Sequence, residues 1–131
     1  MAEHMISPHG TFCWTELATT DAGAAKKFYT ELLGWQLKDG EVLPGGYSEI
    51  MAAGESVGGI YQMNEEYGEM KSHWMAYVAV DDVDASARRV EELGGKVCIP
   101  PTDIPTVGRF CVINDPTGAT LSLITLAGEH S

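Results

Sequence analysis

Thr11-Phe-Cys-Trp-Thr-Glu-Leu-Ala18 runs into Thr19-Thr-Asp-Ala-Gly-Ala-Ala-Lys-Lys-Phe-Tyr-Thr-Glu-Leu-Leu-Gly-Trp35, and the reading of this stretch decides the fold. Alternation in its first part puts Phe12, Trp14 and Glu16 on one face of a strand and Cys13, Thr15 and Leu17 on the other. Thr20 or Asp21 then offers a short oxygen-bearing side chain to the free amides of a helix start. Ala25, Phe28, Tyr29, Leu32 and Leu33 recur at helical spacing as one apolar stripe, and Gly34 supplies the stop. About sixty residues later the pattern returns as His73-Trp-Met-Ala-Tyr-Val-Ala-Val80 followed by Asp81-Asp-Val-Asp-Ala-Ser-Ala-Arg-Arg-Val-Glu-Glu-Leu-Gly94. Overlaying the copies sets Trp14 on Trp74, Asp21 on Asp81, and Leu33-Gly34 on Leu93-Gly94.

Between these anchors the glycines and polar breaks predict short strands. In the first half they are Trp35–Lys38, Tyr47–Ala52 and Val57–Met63, separated by turns at Pro44-Gly45-Gly46 and Gly54-Glu55. Residues 64–72 are polar and aperiodic and read as a linker. The second half predicts a strand over Trp74–Val80 and a helix over Val83–Leu93 with the stripe Val83, Ala87, Val90 and Leu93. Strands over Lys96–Ile99, Gly108–Ile113 and Ala119–Leu126 close the chain. Pro100-Pro101 and Pro105 stiffen one connection, and Asp115-Pro-Thr-Gly118 turns tightly in another. The expectation is an α+β domain over 11–126, with a βαβββ module at 11–63, a linker at 64–72 and a second module at 73–126. The two modules pair into a curved mixed sheet with a central cleft and the helices outside. Residues 1–10 and 127–131 are expected to be tails.

Bulk properties narrow the function. A chain of 131 residues can bury a core as one domain. Its net charge of −11 argues against nucleic acid, whose phosphates need a basic surface, and against anionic membranes. No apolar run reaches the roughly 20 residues that span a bilayer, and Met1–Gly10 lacks the form of a signal peptide, so a cytoplasmic address is expected. Cys13, Cys98 and Cys111 have no ligand spacing and read as small buried hydrophobes.

Phe28-Tyr29-Thr-Glu-Leu-Leu-Gly34-Trp35, Val80-Asp-Asp-Val83, Leu93-Gly-Gly95 and Asp115-Pro-Thr-Gly118, in this order, resemble the vicinal oxygen chelate superfamily. That group holds glyoxalase I, extradiol dioxygenases and the bleomycin and fosfomycin resistance proteins. Trp14-Thr-Glu-Leu17, Gly46-Tyr47, Gly58-Gly59 and Gly108-Arg109 are similar to a glyoxalase-like branch whose members carry the label hydroxylase. The resemblance implies a homodimer and a divalent metal held by His, Gln or Glu on the first, fourth, fifth and last strands. Carried over, those positions fall on Trp14, Gln62, Met75 and Ser122. Neither Trp nor Met suits a borderline divalent ion, so no metal or other cofactor is expected. A site rebuilt from Glu16 and His73 with Glu49 or Gln62 is the alternative.

Trp14, Met75 and Tyr77 should instead project inward, joined by Tyr47, Tyr61 and Met63, with Glu16 and Ser122 as polar groups. Such a lining suits a small aromatic or apolar molecule; the plainer alternative is a closed core. Arg109 meets a ligand anion or pairs with Glu16 or an aspartate. Glu16 is the candidate acid/base if the protein is an enzyme of the lyase, isomerase or dioxygenase type. His73 otherwise sits solvated at a strand mouth. His4, His9 and His130 take no role, and Lys26, Lys27, Arg88 and Arg89 are solvated charges on helix exteriors.

Overall fold

A computed structural model describes residues 7–39 and 47–127. The expected turn at Pro44-Gly45-Gly46, His4 and His130 lie outside the described residues. The chain divides into two compact units, Trp14–Met75 and Ala76 onward together with the residues before Trp14.

The first unit is built on β1 (Phe12–Thr19) and α1 (Ala22–Leu33). Asp21 caps the helix, its Oδ1 accepting from the Ala24 amide at 3.0 Å. Gly34 closes it at φ 72°, a left-handed conformation that glycine adopts without strain. The strands β2 (Gln36–Asp39), β3 (Ser48–Ala52) and β4 (Glu55–Gln62) follow. They assemble in the order β2-β3-β4-β1, antiparallel except for the parallel pair of β1 and β4. Leu17, Ile50 and Ile60 form the core, against which Ala25 and Tyr29 of α1 pack together with Trp35 and Leu37. Leu17 therefore faces the helix, and alternation turns Trp14 and Glu16 to the opposite face of the sheet.

The second unit repeats the plan. β5 (His73–Ala79), whose first three residues belong to the first unit, leads to α2 (Val83–Glu92). Then come β6 (Lys96–Ile104), β7 (Gly108–Asn114) and β8 (Thr120–Leu126). The order is β5-β8-β7-β6, with β5 and β8 parallel and the other pairs antiparallel. Its core is Val80, Val83, Ala87, Cys111 and Leu123. The protein is thus α+β and carries the βαβββ arrangement twice.

Several expectations need correction. Asp21 and Asp82, not Asp81, are the two N-caps. The first strands and the helix starts therefore align one residue further along, which sets Trp14 on Met75 and takes Trp74 off it, whereas Gly34 and Gly94 still correspond as left-handed glycines at the helix ends. A slip of one residue in a strand exchanges its faces. The α1 stripe is also divided: Ala25 and Tyr29 meet the sheet, whereas Phe28 is 57% and Leu32 62% exposed, and Leu33 is exposed too. On α2, Leu93 is the exposed C-cap and not part of the buried stripe.

Pro100 and Pro101 do not lie in a connection but inside β6. That strand is last in its unit's strand order, where a missing amide costs little, and its register shifts on either side of Ile99. Cys98 stands at one of these shifts and is exposed, so only Cys111 is a buried hydrophobe of the expected kind; Cys13 is half-buried. β4 starts at Glu55 because the turn falls on Ala53 and Gly54, both with positive φ. The linker contains a short 3-10 helix, Glu65–Tyr67.

Candidate functional site

Register in the first unit places Glu16 of β1, Gly59 of β4 and Glu49 of β3 in one row across three strands. Tyr47 stands just ahead of β3 and lays its ring over Gly59: a Cβ there would fall on the tyrosine hydroxyl. That hydroxyl accepts from Trp14 Nε1 at 3.0 Å and donates to Glu16 Oε2 at 2.8 Å. The Tyr61 ring stacks beside it, centroids 6.2 Å apart and 17° from parallel. Tyr67 Oη in turn donates to Tyr61 Oη at 3.3 Å. Four residues singled out in the sequence, Trp14, Glu16, Tyr47 and Tyr61, are therefore brought together on the sheet face turned away from α1.

The electrostatics fix the proton. Burial first, and then the charge of Glu16, push the Tyr47 phenol well above the ordinary tyrosine value of 10.0. Burial and the hydrogen bond with Tyr67 push Tyr61 the same way. Tyr47 is a protonated donor at neutral pH, and the chain reads indole to phenol to carboxylate. A charge-assisted bond of this kind is roughly twice as strong as a neutral one.

The remaining expected residues are distributed otherwise. Met63 is buried just beyond β4, its amide donating to the Thr19 carbonyl at 2.8 Å, and Met75 is half-buried in β5. Tyr77 and Ser122 are register partners of β5 and β8, both buried, and Tyr77 lies against Phe110 with centroids 6.5 Å apart. The Ser122 hydroxyl is buried and has no hydrogen-bond partner among the described residues. Arg109 is paired with aspartates: its Nε and Nη2 reach the Asp84 carboxylate at 2.9 and 3.1 Å, and its Nη1 reaches Asp103 at 3.0 Å. Those hydrogen bonds, to Asp84 first, hold the guanidinium more basic than usual. They also saturate the wall of a shallow depression of about 330 Å³ bordered by Asp81–Asp84, Arg109 and Thr125.

The side chains at the positions where the resemblance would put a metal do not fit one. Trp14 donates its only N–H to Tyr47, and Met75 offers a thioether. Gln62 is committed to the start of α1: its Oε1 accepts from the Ala22 amide at 2.9 Å and its Nε2 donates to the Thr20 carbonyl at 2.8 Å. Ser122 offers an alcohol. For the rebuilt alternative, His73 Nδ1 is engaged with the Lys71 carbonyl at 2.8 Å, and Glu49 accepts from Ser56 Oγ. Among the described residues no three His, Cys, Asp or Glu side chains converge as a metal site would need.

Two participants were not foreseen. Tyr67 was assigned to a featureless linker; the signal was an aromatic residue inside a polar run. Gly59 was noted only as half of a Gly-Gly pair, although a glycine inside a strand often marks close approach of another group. Trp74 forms an aromatic cluster with Tyr29 and Trp35 on the helix side, its Nε1 donating to Tyr29 Oη at 3.3 Å. His9, set aside as a tail residue, accepts from the Asp81 amide through Nδ1 at 2.9 Å.

The chain belongs to the Glyoxalase/Bleomycin resistance protein/Dioxygenase superfamily, whose family model matches residues 11–123. It is 47% identical over 117 residues to a Mycobacterium tuberculosis protein named "Putative glyoxylase CFP32", covering 87% of this chain and 45% of that one. It is 33% identical over 128 residues to the anthracycline biosynthesis protein DnrV of Streptomyces peucetius, covering 87% and 46%. The chain thus spans somewhat under half the length of these curated relatives. Methylmalonyl-CoA epimerase from Mycobacterium tuberculosis shares the fold at a TM-score of 0.65 and 21% identity, over 99% of this chain and 98% of that one. The Mn(II)-bound glyoxalase from Novosphingobium aromaticivorans does so at 0.61 and 20%, over 91% and 40%.

Proposed function

We propose that this member of the superfamily binds a small aromatic molecule on the strand face of its first unit turned away from α1, without the divalent metal that the family resemblance implies. The observation that carries the reading is the hydrogen-bonded series Trp14, Tyr47, Glu16 beside the stacked Tyr61. Flat rings supply stacking surface, and a few convergent polar groups fix orientation, which is the usual anatomy of a small-molecule site. The chemistry of Trp14, Gln62, Met75 and Ser122 supports the metal-free part. The anthracycline biosynthesis proteins among the relatives support handling of an organic small molecule.

Fluorescence titration of metal-stripped protein with a panel of aromatic compounds tests the reading. Saturable one-to-one binding that weakens in Trp14→Phe is expected. A stoichiometric, tightly held divalent ion in protein purified without added metal would overturn it.

One observation favours a second, enzymatic reading: a carboxylate and a phenol held protonated sit 2.8 Å apart, as an acid/base pair does. In that case Glu16→Gln abolishes turnover while leaving binding of the aromatic group largely intact. A cytoplasmic location and a homodimeric state belong to the same proposal. The exposed apolar side chains of α1 support the homodimer. Among the described residues no helix is long and apolar enough to cross a membrane.

A further inference from the structure

Tyr47 shows what its surroundings recognise, because the side chain is itself a phenol. Its hydroxyl gives one hydrogen bond to a carboxylate and takes one from an indole N–H, and its ring is stacked on Tyr61 and laid over a glycine that leaves the space free. An aliphatic alcohol could satisfy the two hydrogen bonds but not the stacking. A plain arene could stack but would replace neither bond. Sites built to hydrogen-bond a hydroxyl reject analogues lacking it far more strongly than apolar pockets reject a missing methylene.

The way Tyr47 is held also matters. It precedes the first ladder residue of β3, Ser48, so its ring is fixed by side-chain contacts and not by pairing within the sheet. Those contacts are of the kind that an incoming molecule with the same groups can reproduce.

We propose that the site formed by Glu16, Trp14, Tyr61 and Gly59 is specific for an aryl hydroxyl group, and that Tyr47 occupies it as an internal phenol that a hydroxyaromatic ligand displaces. The proposal rests on the aromatic-binding reading above and narrows it to a chemical class. Tyr47 then acts as a built-in competitor, setting a threshold that only a ligand offering both ring and hydroxyl can exceed.

The test removes the internal phenol and returns it as a free molecule. Tyr47→Ala is titrated with p-cresol, the tyrosine side chain detached from its backbone, and in parallel with toluene, following tryptophan fluorescence and melting temperature. p-Cresol is expected to bind Y47A at least about tenfold more tightly than toluene, as one hydrogen bond to a charged group implies. It is also expected to bind Y47A more tightly than it binds the wild type, and the preference over toluene is expected to shrink when Glu16→Gln removes the charge while the Trp14 N–H still donates. Equal binding of the two compounds to folded Y47A, or no binding of p-cresol, overturns the proposal. Equal binding would leave the broader aromatic-binding reading standing.

Tyr47→Ser carries the same test where Y47A does not fold. Wild-type protein carries it without any substitution at position 47. A preference for 2-naphthol over naphthalene that falls in E16Q supports the inference, and equal retention of both compounds by the wild type overturns it.

Discussion

Gly59 lies directly beneath the Tyr47 hydroxyl, so that the space an alanine methyl would need is the space the phenol fills. The two positions are therefore energetically one site. Gly59→Ala must expel the ring or distort β4, which we expect to cost about 1–3 kcal/mol, the usual range for overpacking. In a Y47A background the obstacle is gone and the same change should cost less than about 0.5 kcal/mol. Urea denaturation of the four proteins measures the coupling directly. Additive effects would show that the two groups do not compete for the same volume.

The raised proton affinity of Tyr47 and Tyr61 has a consequence at high pH. Each phenol loses its proton less readily folded than unfolded, so each stabilises the fold fully below the ordinary value of 10.0 and loses that contribution as pH rises above it. Absorbance at 295 nm should rise in two stages between about pH 9 and 13. The later stage should coincide with the loss of circular dichroism, as Tyr47 and Tyr61 ionise on alkaline unfolding. Tyr47→Phe should remove part of the later amplitude and leave the earlier one. A single early wave containing all the tyrosine signal would contradict the burial of these two rings.

Much of this architecture was legible because it depends on local signals. Asp21 and Gly34 bracket α1 through capping and left-handed geometry, both short-range effects of side-chain chemistry. Alternation correctly put Trp14 with Glu16. What escaped depended on tertiary context. Nothing in the spacing of Phe28 and Leu32 distinguishes a covered stripe from an exposed one, and Pro100-Pro101 reads as a connection unless the edge position of β6 is known. The Trp14–Trp74 overlay was persuasive by residue identity, yet the caps at Asp21 and Asp82 show it to be one residue out. Arg109 could be given several carboxylate partners from sequence; only the fold selects Asp84 and Asp103.

That ion pair gives a prediction at low pH. Arg109, chiefly through its hydrogen bonds, holds the Asp84 carboxyl below its ordinary 3.8. An acid whose pKa falls on folding stabilises the fold above its unfolded value and loses that contribution as pH drops through the folded one. The melting temperature of wild type should therefore exceed that of Asp84→Asn at pH 7, and the gap should close as the pH falls below about 3.8. Both groups are well exposed, so the gap should also shrink in about 1 M salt, where the screening length is about 3 Å. A gap independent of both pH and salt would mean that Asp84 acts only through its place in the first turn of α2.

The outer face of α1 separates folding from association. Phe28 and Leu32 stand one helical turn apart, with 57% and 62% of their surface exposed, so neither contributes much to the core of the first unit. Two large apolar side chains left in solvent on one helix mark a surface suited to a partner, and a second copy of the chain would bring an identical apolar strip to cover them. Replacing both with glutamate should leave the unfolding midpoint nearly unchanged, since exposed substitutions usually shift stability by no more than about 0.5 kcal/mol each. The same replacement should place like charges against one another across a two-fold contact. Size-exclusion chromatography with light scattering should therefore return twice the 14.1 kDa chain mass for wild type and the single chain mass for F28E/L32E. A wild-type protein already at 14.1 kDa, or a double variant that stays paired, would show that α1 does not mediate association.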